Sequence, residues 1–247
     1  MLKTILNRLK PQAEKIIAEE QAGFRAGRST TEQIFNLRIL CEKYLQHQQD
    51  LYHVFIDFNK AFDWVWPAAL WATMKKYTIN TNLIQVIKNL YNKATSAMLF
   101  NSSIGDWFRT TVGVRQGCLL SPTLSNIFLL RRLERIMTEA LEDLEGSVSI
   151  GGRTITNLRF ADDMDALAGE EEELAKLVER LDKASTVNGI EISAEKTKQM
   201  TNNTSGINTE IKVNGQKLET VTSFKYLGSL ITDEGSKPEL LCRICLL

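Results

Sequence analysis

Cysteine is scarce. The four present, at 41, 118, 242 and 245, offer no disulfide framework, so a reducing intracellular setting is expected. Cys242-Arg243-Ile244-Cys245 is a lone Cys-x-x-Cys with no second pair, which argues against a zinc site. There are only two histidines, His47 and His53, and neither enters a metal-ligand spacing, so both read as structural. No apolar run approaches the ~20 residues of a membrane span, and the N-terminus shows no signal-peptide core; no membrane partner is expected. Repeats and low-complexity segments are missing too. Net charge is zero, which argues against a protein that coats nucleic acid indiscriminately.

The neutral total hides an asymmetry. Residues 1–45 carry eight Lys/Arg against five Glu, and residues 139–182 carry thirteen acids against four bases. A basic front and an acidic middle suit a phosphate-binding arm beside a metal-binding centre, although Glu170 to Glu173 also read as a solvated helix start. A length of 247 residues allows one large domain or two small ones.

Along the chain, 2–20 reads as an amphipathic helix interrupted near Pro11. Gln21-Ala22-Gly23-Phe24-Arg25-Ala26-Gly27-Arg28 is a flexible basic loop, and Ser29-x-x-Glu32 is a capping box opening a helix to about Gln48. Arg25 and Arg28 before a helix N-terminus form either a phosphate seat or a solvated loop. Residues 51–58 are almost continuously apolar and read as a buried central strand ending on Asp57. Asp63, soon after it, reads as an N-cap or a surface partner. Two helices over 66–93 meet at Asn80-Thr81-Asn82, and a hairpin pattern follows over 97–112. Ser121-Pro122 starts a helix running to about Asp143, with Ser as its cap. A Gly151-Gly152 hairpin, a helix over 170–188, a short strand over 190–192, a linker over 201–208, an Asn214-Gly215 hairpin and a strand over 224–231 complete the chain.

The stretch that organises the rest is Asn157-Leu158-Arg159-Phe160-Ala161-Asp162-Asp163-Met164-Asp165. Strand-forming residues run into two adjacent carboxylates and out again, which places Asp162 and Asp163 at a hairpin tip. Alone, such a pair is an ordinary solvated turn. A second carboxylate at the end of a buried strand, Asp57, changes the balance. Burial of that charge is expensive unless it is paired or metal-bound, and oxygen ligands are what Mg²⁺ takes. An α+β, ferredoxin-like layer would bring the two strand ends side by side.

In this order the segments resemble the reverse transcriptase domain of a non-LTR (LINE-type) retrotransposon. Gln21–Ile34 matches the fingers, Phe55–Asp63 motif A, Gly113–Pro122 motif B, Phe160–Asp163 motif C, Gly189–Lys198 motif D and Tyr226-Leu227-Gly228 motif E. The resemblance implies a right-hand polymerase with fingers over about 1–50 and 66–112 and a palm with a ferredoxin-like sheet over about 51–65 and 113–232. It implies RNA-directed DNA polymerisation by two-metal-ion transfer. Two Mg²⁺ ions, with Mn²⁺ as a substitute, would be held by Asp57, Asp162, Asp163 and the Phe58 carbonyl. The implied partners are an RNA template, a DNA primer and deoxynucleoside triphosphates.

Further roles come with the resemblance. Arg25 and Arg28 would clamp the triphosphate, and Phe62 would block a ribonucleotide 2′-hydroxyl. Gln116 and Gly117 would line the nucleotide pocket. Lys196 would protonate pyrophosphate, with Lys198 as competitor, and Tyr226 to Gly228 would grip the primer end. Asn59, where similar proteins often carry a charge, and Leu130-Arg131-Arg132, which looks inserted, depart from the pattern. The thumb is expected to be missing and 233–247 to be a truncated tail. An inactive retroelement remnant is the alternative reading, and another two-metal enzyme, such as a nucleotide cyclase, a third.

Overall fold

The computed structural model describes residues 1–58, 65–92, 94–115, 117–202 and 210–233, without the side chains of Leu130 and Arg131. The expectations for Asn59, Phe62, Asp63, Gln116, most of the 201–208 linker and the Cys-x-x-Cys tail lie outside these residues. The chain divides into two compact units, Met1–Ala18 with Lys60–Glu134, and Glu19–Asn59 with Arg135–Leu247.

In the first unit the Leu2–Glu14 helix continues through Pro11 instead of stopping there. Leu9 and Ala13, buried on either side of the proline, anchor both flanking turns, so packing offsets the lost backbone hydrogen bond. The Pro67–Lys76 and Thr81–Tyr91 helices meet where the asparagines suggested. Asn80 caps the second of them, its Oδ1 accepting from the amides of Asn82 and Leu83 at 3.0 and 3.2 Å. The expected hairpin is two pairs of very short strands, Thr95–Ser96 with Phe108–Arg109 and Leu99–Phe100 with Ser103–Ile104. The Ser121–Leu141 helix is continuous across Leu130-Arg131-Arg132. Ser121 is not its cap: the helix begins on that residue, whose Oγ donates to the Arg115 carbonyl at 2.5 Å.

The second unit is built on a five-stranded sheet. Tyr52–Asp57 lies at its centre, flanked by Asp163–Ala168 and Lys198–Thr201, with Asn157–Phe160 and Glu219–Thr220 at the edges. All pairs are antiparallel except Lys198–Thr201 with Glu219–Thr220. The central strand is buried on both faces, which its unbroken apolar run requires. Strand alternation sorts its side chains. Leu51 and Phe55 join Leu167, Met200, Leu37, Leu40 and Cys41 in one core cluster. The Glu171–Val187 helix packs on the sheet through its contacts with the Tyr52–Asp57 and Asp163–Ala168 strands. Its buried Leu174, Leu177, Val178 and Leu181 recur at helical spacing.

Two expected strands differ. Ile190–Ile192 contributes only an isolated bridge, Phe58 to Ile192, because the chain bends at once into Ser193, whose amide donates to the Asp57 carbonyl at 2.9 Å. The 224–231 stretch is a hairpin, Ser223–Tyr226 against Ser229–Thr232. Leu227 and Gly228 take φ of +48° and +87°, the backbone of a tight two-residue turn, so the strand breaks there.

Candidate active site

Asp57 ends the central strand and stands directly opposite Asp163 in the register of the neighbouring strand. Residues so paired have Cα atoms roughly 4.5–5.5 Å apart and present their side chains to one face. Asp162 is the second of the two turn residues between Phe160 and Asp163. The sheet therefore brings the three aspartates to one end of the central strand.

Their electrostatics are unbalanced. Burial raises Asp162 above the usual carboxylate range; its backbone amide partly counters this, Asp57 adds to it, and Lys196 opposes it. Asp163 keeps much of its surface, yet protein packed on one side of its carboxyl, then repulsion from Asp162 and Asp57, lifts it to about 6. The nearby cation is Lys196, with Nζ 3.4 Å from Asp57 Oδ1. That pair is exposed, is worth at most about 1 kcal/mol, and leaves Lys196 free to swing. Lys198, its competitor in sequence, is engaged elsewhere, with Glu195 and Glu219 at 2.5 and 2.8 Å.

Three carboxylates without thiol or imidazole are a donor set for a hard divalent ion, and their mutual repulsion is what such an ion relieves. As the side chains stand, no three His, Cys, Asp or Glu among the described residues are gathered into a coordination sphere, and Asp57 is turned to Lys196. The donor chemistry fits a metal.

A cleft of about 350 Å³ opens beside Asp57 and Asp163, with Lys196, Leu227 and Gly228 in its wall. Aromatic stacking explains how the Leu227-Gly228 turn arrives there. Phe55, two residues before Asp57 and on the same strand face, stacks on Phe224 at 4.4 Å and meets Tyr226 at 5.7 Å. The hairpin is thus pinned one pleat away from the aspartate. Tyr226 itself is core: it is buried, burial pushes its phenol up, followed by the charges of Asp165 and Asp163, and its hydroxyl has no hydrogen-bond partner among the described residues.

The basic loop is split in its placement. Arg25 Nη1 donates to the Gln21 carbonyl at 3.1 Å. Arg28 pairs with Glu32 at 3.3 Å, so only half of the capping box forms, the Ser29 Oγ accepting from the Glu32 amide at 3.1 Å. In the first unit, Gly117 takes φ +77° with open space where a side chain would be.

Sequence reasoning missed two features. The first is the Gln21 side chain. Its Oε1 accepts from the amides of Ala161 and Gly23 at 2.7 and 2.8 Å, and its Nε2 donates to the Ala161 carbonyl at 2.9 Å. Nothing in an isolated glutamine signals such a role. The second is a fully buried His53–Asp165 pair, with Nδ1 3.1 Å from Oδ2. Burial works against the imidazolium, but the Asp165 charge, assisted by Cys41 at 3.7 Å, overrides it and raises His53 to about 10. Burial raises Asp165 too, and the His53 charge and hydrogen bond oppose that rise. Asp165 was visible two residues after Asp163, on the same strand face, but its partner is 112 residues away.

Comparison with known proteins bears on the family and the fold. The family described as "Reverse transcriptase (RNA-dependent DNA polymerase)" matches residues 1–231. The Pol polyprotein of a type-1 R2 retrotransposable element of Nasonia vitripennis is 29% identical, over 75% of this chain and 18% of its own length. The RNA-directed DNA polymerase of the mobile element jockey of Drosophila melanogaster is 29% identical, over 92% of this chain and 25% of its own. The chain thus spans about a quarter or less of these relatives. Among solved structures, a telomerase of Candida albicans in complex with the TWJ fragment of telomeric RNA superposes with a TM-score of 0.63 at 12% identity, over 96% of this chain and 38% of that one. Apo telomerase of Candida tropicalis gives 0.62 at 14% identity, over 94% and 40%.

Proposed function

The chain belongs to the reverse transcriptase (RNA-dependent DNA polymerase) family, and on that premise we propose that it carries the nucleotidyl-transfer site of a retroelement polymerase. Its α+β fold is that of the right-hand polymerases. Fingers are assigned to about 1–50 and 66–112 and the palm to about 51–65 and 113–232. The observation that carries the reading is the register of Asp57 against Asp163, with Asp162 in the adjoining turn.

Asp57, Asp162, Asp163 and the Phe58 carbonyl would hold two Mg²⁺ ions, or Mn²⁺ in their place. When bound, the ions activate a primer 3′-hydroxyl and neutralise the pyrophosphate that leaves. Lys196, whose Nζ lies 3.4 Å from Asp57 Oδ1, would give a proton to the leaving pyrophosphate. The Leu227-Gly228 turn, pinned beside the cleft by Phe224 and Phe55, offers backbone to a primer end. Arg25 and Arg28 hold the triphosphate, Phe62 excludes the ribose 2′-hydroxyl, and Gln116 and Gly117 border the nucleotide. The substrates are deoxynucleoside triphosphates, with an RNA template and a DNA primer as partners. Among the described residues no helix is long and apolar enough to cross a membrane.

Incorporation of dTMP on poly(rA)/oligo(dT) with Mg²⁺ tests the proposal. The chain should extend the primer, and Asp57→Asn and Asp162→Asn should each abolish extension while melting cooperatively. Extension that survives both substitutions would refute the assignment. No extension by the unaltered chain would leave a folded family member without this activity.

A further inference from the structure

We infer that Gln21 is a positioning residue for the aspartate pair, clamping the Ala161 backbone so that Asp162 and Asp163 are held ready for a divalent ion. The inference rests on the metal-site reading above and goes beyond it to a residue that touches neither metal nor substrate.

The turn needs a clamp. Ala161 has φ +59°, in the left-handed region that a side-chain-bearing residue enters at a cost, and no glycine relieves it. Both polar groups of its backbone are taken by one side chain. The Gln21 amide accepts from the Ala161 N–H and donates to the Ala161 carbonyl, both bonds buried. A residue in a β or right-handed conformation would turn one of these groups away, so the paired bonds select the strained conformer. The next residue, Asp162, takes its direction from that conformer.

Gln21 is itself fixed. It is buried, its backbone bridges Arg159, and the next amide, Ala22, donates to the Arg159 carbonyl at 2.9 Å. Its Oε1 also accepts from the Gly23 amide, which locks the rotamer. Gly23 lies so close that an added Cβ would fall 2.2 Å from the Ala161 nitrogen. The approach of the 21–23 segment to this turn is therefore as tight as a backbone allows, which a merely adjacent loop would not need. Outer partners that orient metal ligands typically change affinity or rate about 10- to 100-fold when removed.

Three variants of the chain test the clamp: Gln21→Leu, Gln21→Glu and Gln21→Leu combined with Ala161→Gly. Readouts are Mn²⁺ affinity by electron paramagnetic resonance, exchange of the Ala161 amide by NMR, and primer extension. Gln21→Leu should weaken Mn²⁺ binding about 10- to 100-fold, speed exchange at Ala161, and lower kcat more than it raises KM for the nucleotide. Adding Ala161→Gly should recover much of the Mn²⁺ affinity, because glycine adopts the positive φ unaided. Recovery is an outcome that a general packing role for Gln21 does not produce.

If Gln21→Leu fails to melt cooperatively, Gln21→Glu carries the comparison, since it keeps the acceptor and loses the donor to the Ala161 carbonyl. Mn²⁺ affinity within about twofold of the parent chain, or a double variant no better than the single one, overturns the inference. A parent chain that binds Mn²⁺ but extends no primer refutes the proposed function alone, and the Mn²⁺ and exchange comparisons still decide the clamp. A parent chain that binds no Mn²⁺ overturns both.

Discussion

Replacing His53 by leucine tests the energetics of the sheet that carries the aspartates. His53 and Asp165 are both fully buried, 3.1 Å apart, and one carboxylate oxygen of Asp165 has no hydrogen-bond partner among the described residues. Removing the imidazole leaves the carboxylate buried and unpaired, which costs about 3–5 kcal/mol. Against a stability of roughly 5–15 kcal/mol for a domain, that is a large fraction. With a urea slope of about 1–3 kcal/mol/M, the unfolding midpoint should fall by about 1–2 M or more. His53→Leu combined with Asp165→Leu should regain most of the loss, since both charges go together. The pH dependence has a definite sign. His53 is raised to about 10 from an ordinary 6.5, so its contribution is complete below 6.5 and disappears as pH rises through about 10. A cost below about 1 kcal/mol for His53→Leu, or a double variant no more stable than the single one, would refute this reasoning.

Asp163→Asn should stabilise the metal-free chain at neutral pH. The shift from 3.8 to about 6 corresponds to about 3 kcal/mol at 1.36 per unit, which exposure of Asp163 reduces to about 1. The gain should appear as pH rises from 3.8 through about 6 and vanish below 3.8, read as a melting-temperature difference of about 2–4 °C. A gain independent of pH would mean that charge is not its source. Gly23→Ala should destabilise by about 1–3 kcal/mol in thermal melts, because the neighbour that must yield is the Ala161 backbone; a neutral substitution would show the contact to be looser than 2.2 Å. Phe62→Val should admit ribonucleotides with little loss of deoxynucleotide use, since it removes a block to the wrong substrate only. Unchanged discrimination in single-turnover assays would assign Phe62 to packing.

Legibility of the fold followed the range of the interactions. Periodicity, Asn80 as a cap and the Gly151-Gly152 and Asn214-Gly215 turns are local signals, and the elements they imply are present. The apolar run over 51–58 required burial on both faces, and the strand is central. Local signals misled where tertiary contacts won. Pro11 does not end its helix, because Leu9 and Ala13 are buried around it. Tyr226-Leu227-Gly228 breaks a strand, because its turn is set by the stacking of Phe224 on Phe55. At the site, the residue types of Asp57, Asp162 and Asp163 were informative because carboxylates gathered at one end of a sheet repel one another. The side chains that hold this arrangement were not. Gln21 acts across 140 positions on the backbone of Ala161, and a contact with backbone leaves no complementary residue type to read.

The proposed site requires that Asp57 and the Asp162–Asp163 turn share a divalent ion. Diffraction from crystals of the chain grown with Mn²⁺ and a deoxynucleoside triphosphate, collected at a wavelength where manganese scatters anomalously, would locate that ion. An anomalous peak should lie within about 2.2 Å of carboxylate oxygens from both Asp57 and Asp162, with Asp57 turned away from Lys196. Nucleotide bound in the cleft with no peak between these residues, or with the ion on other side chains, would contradict it.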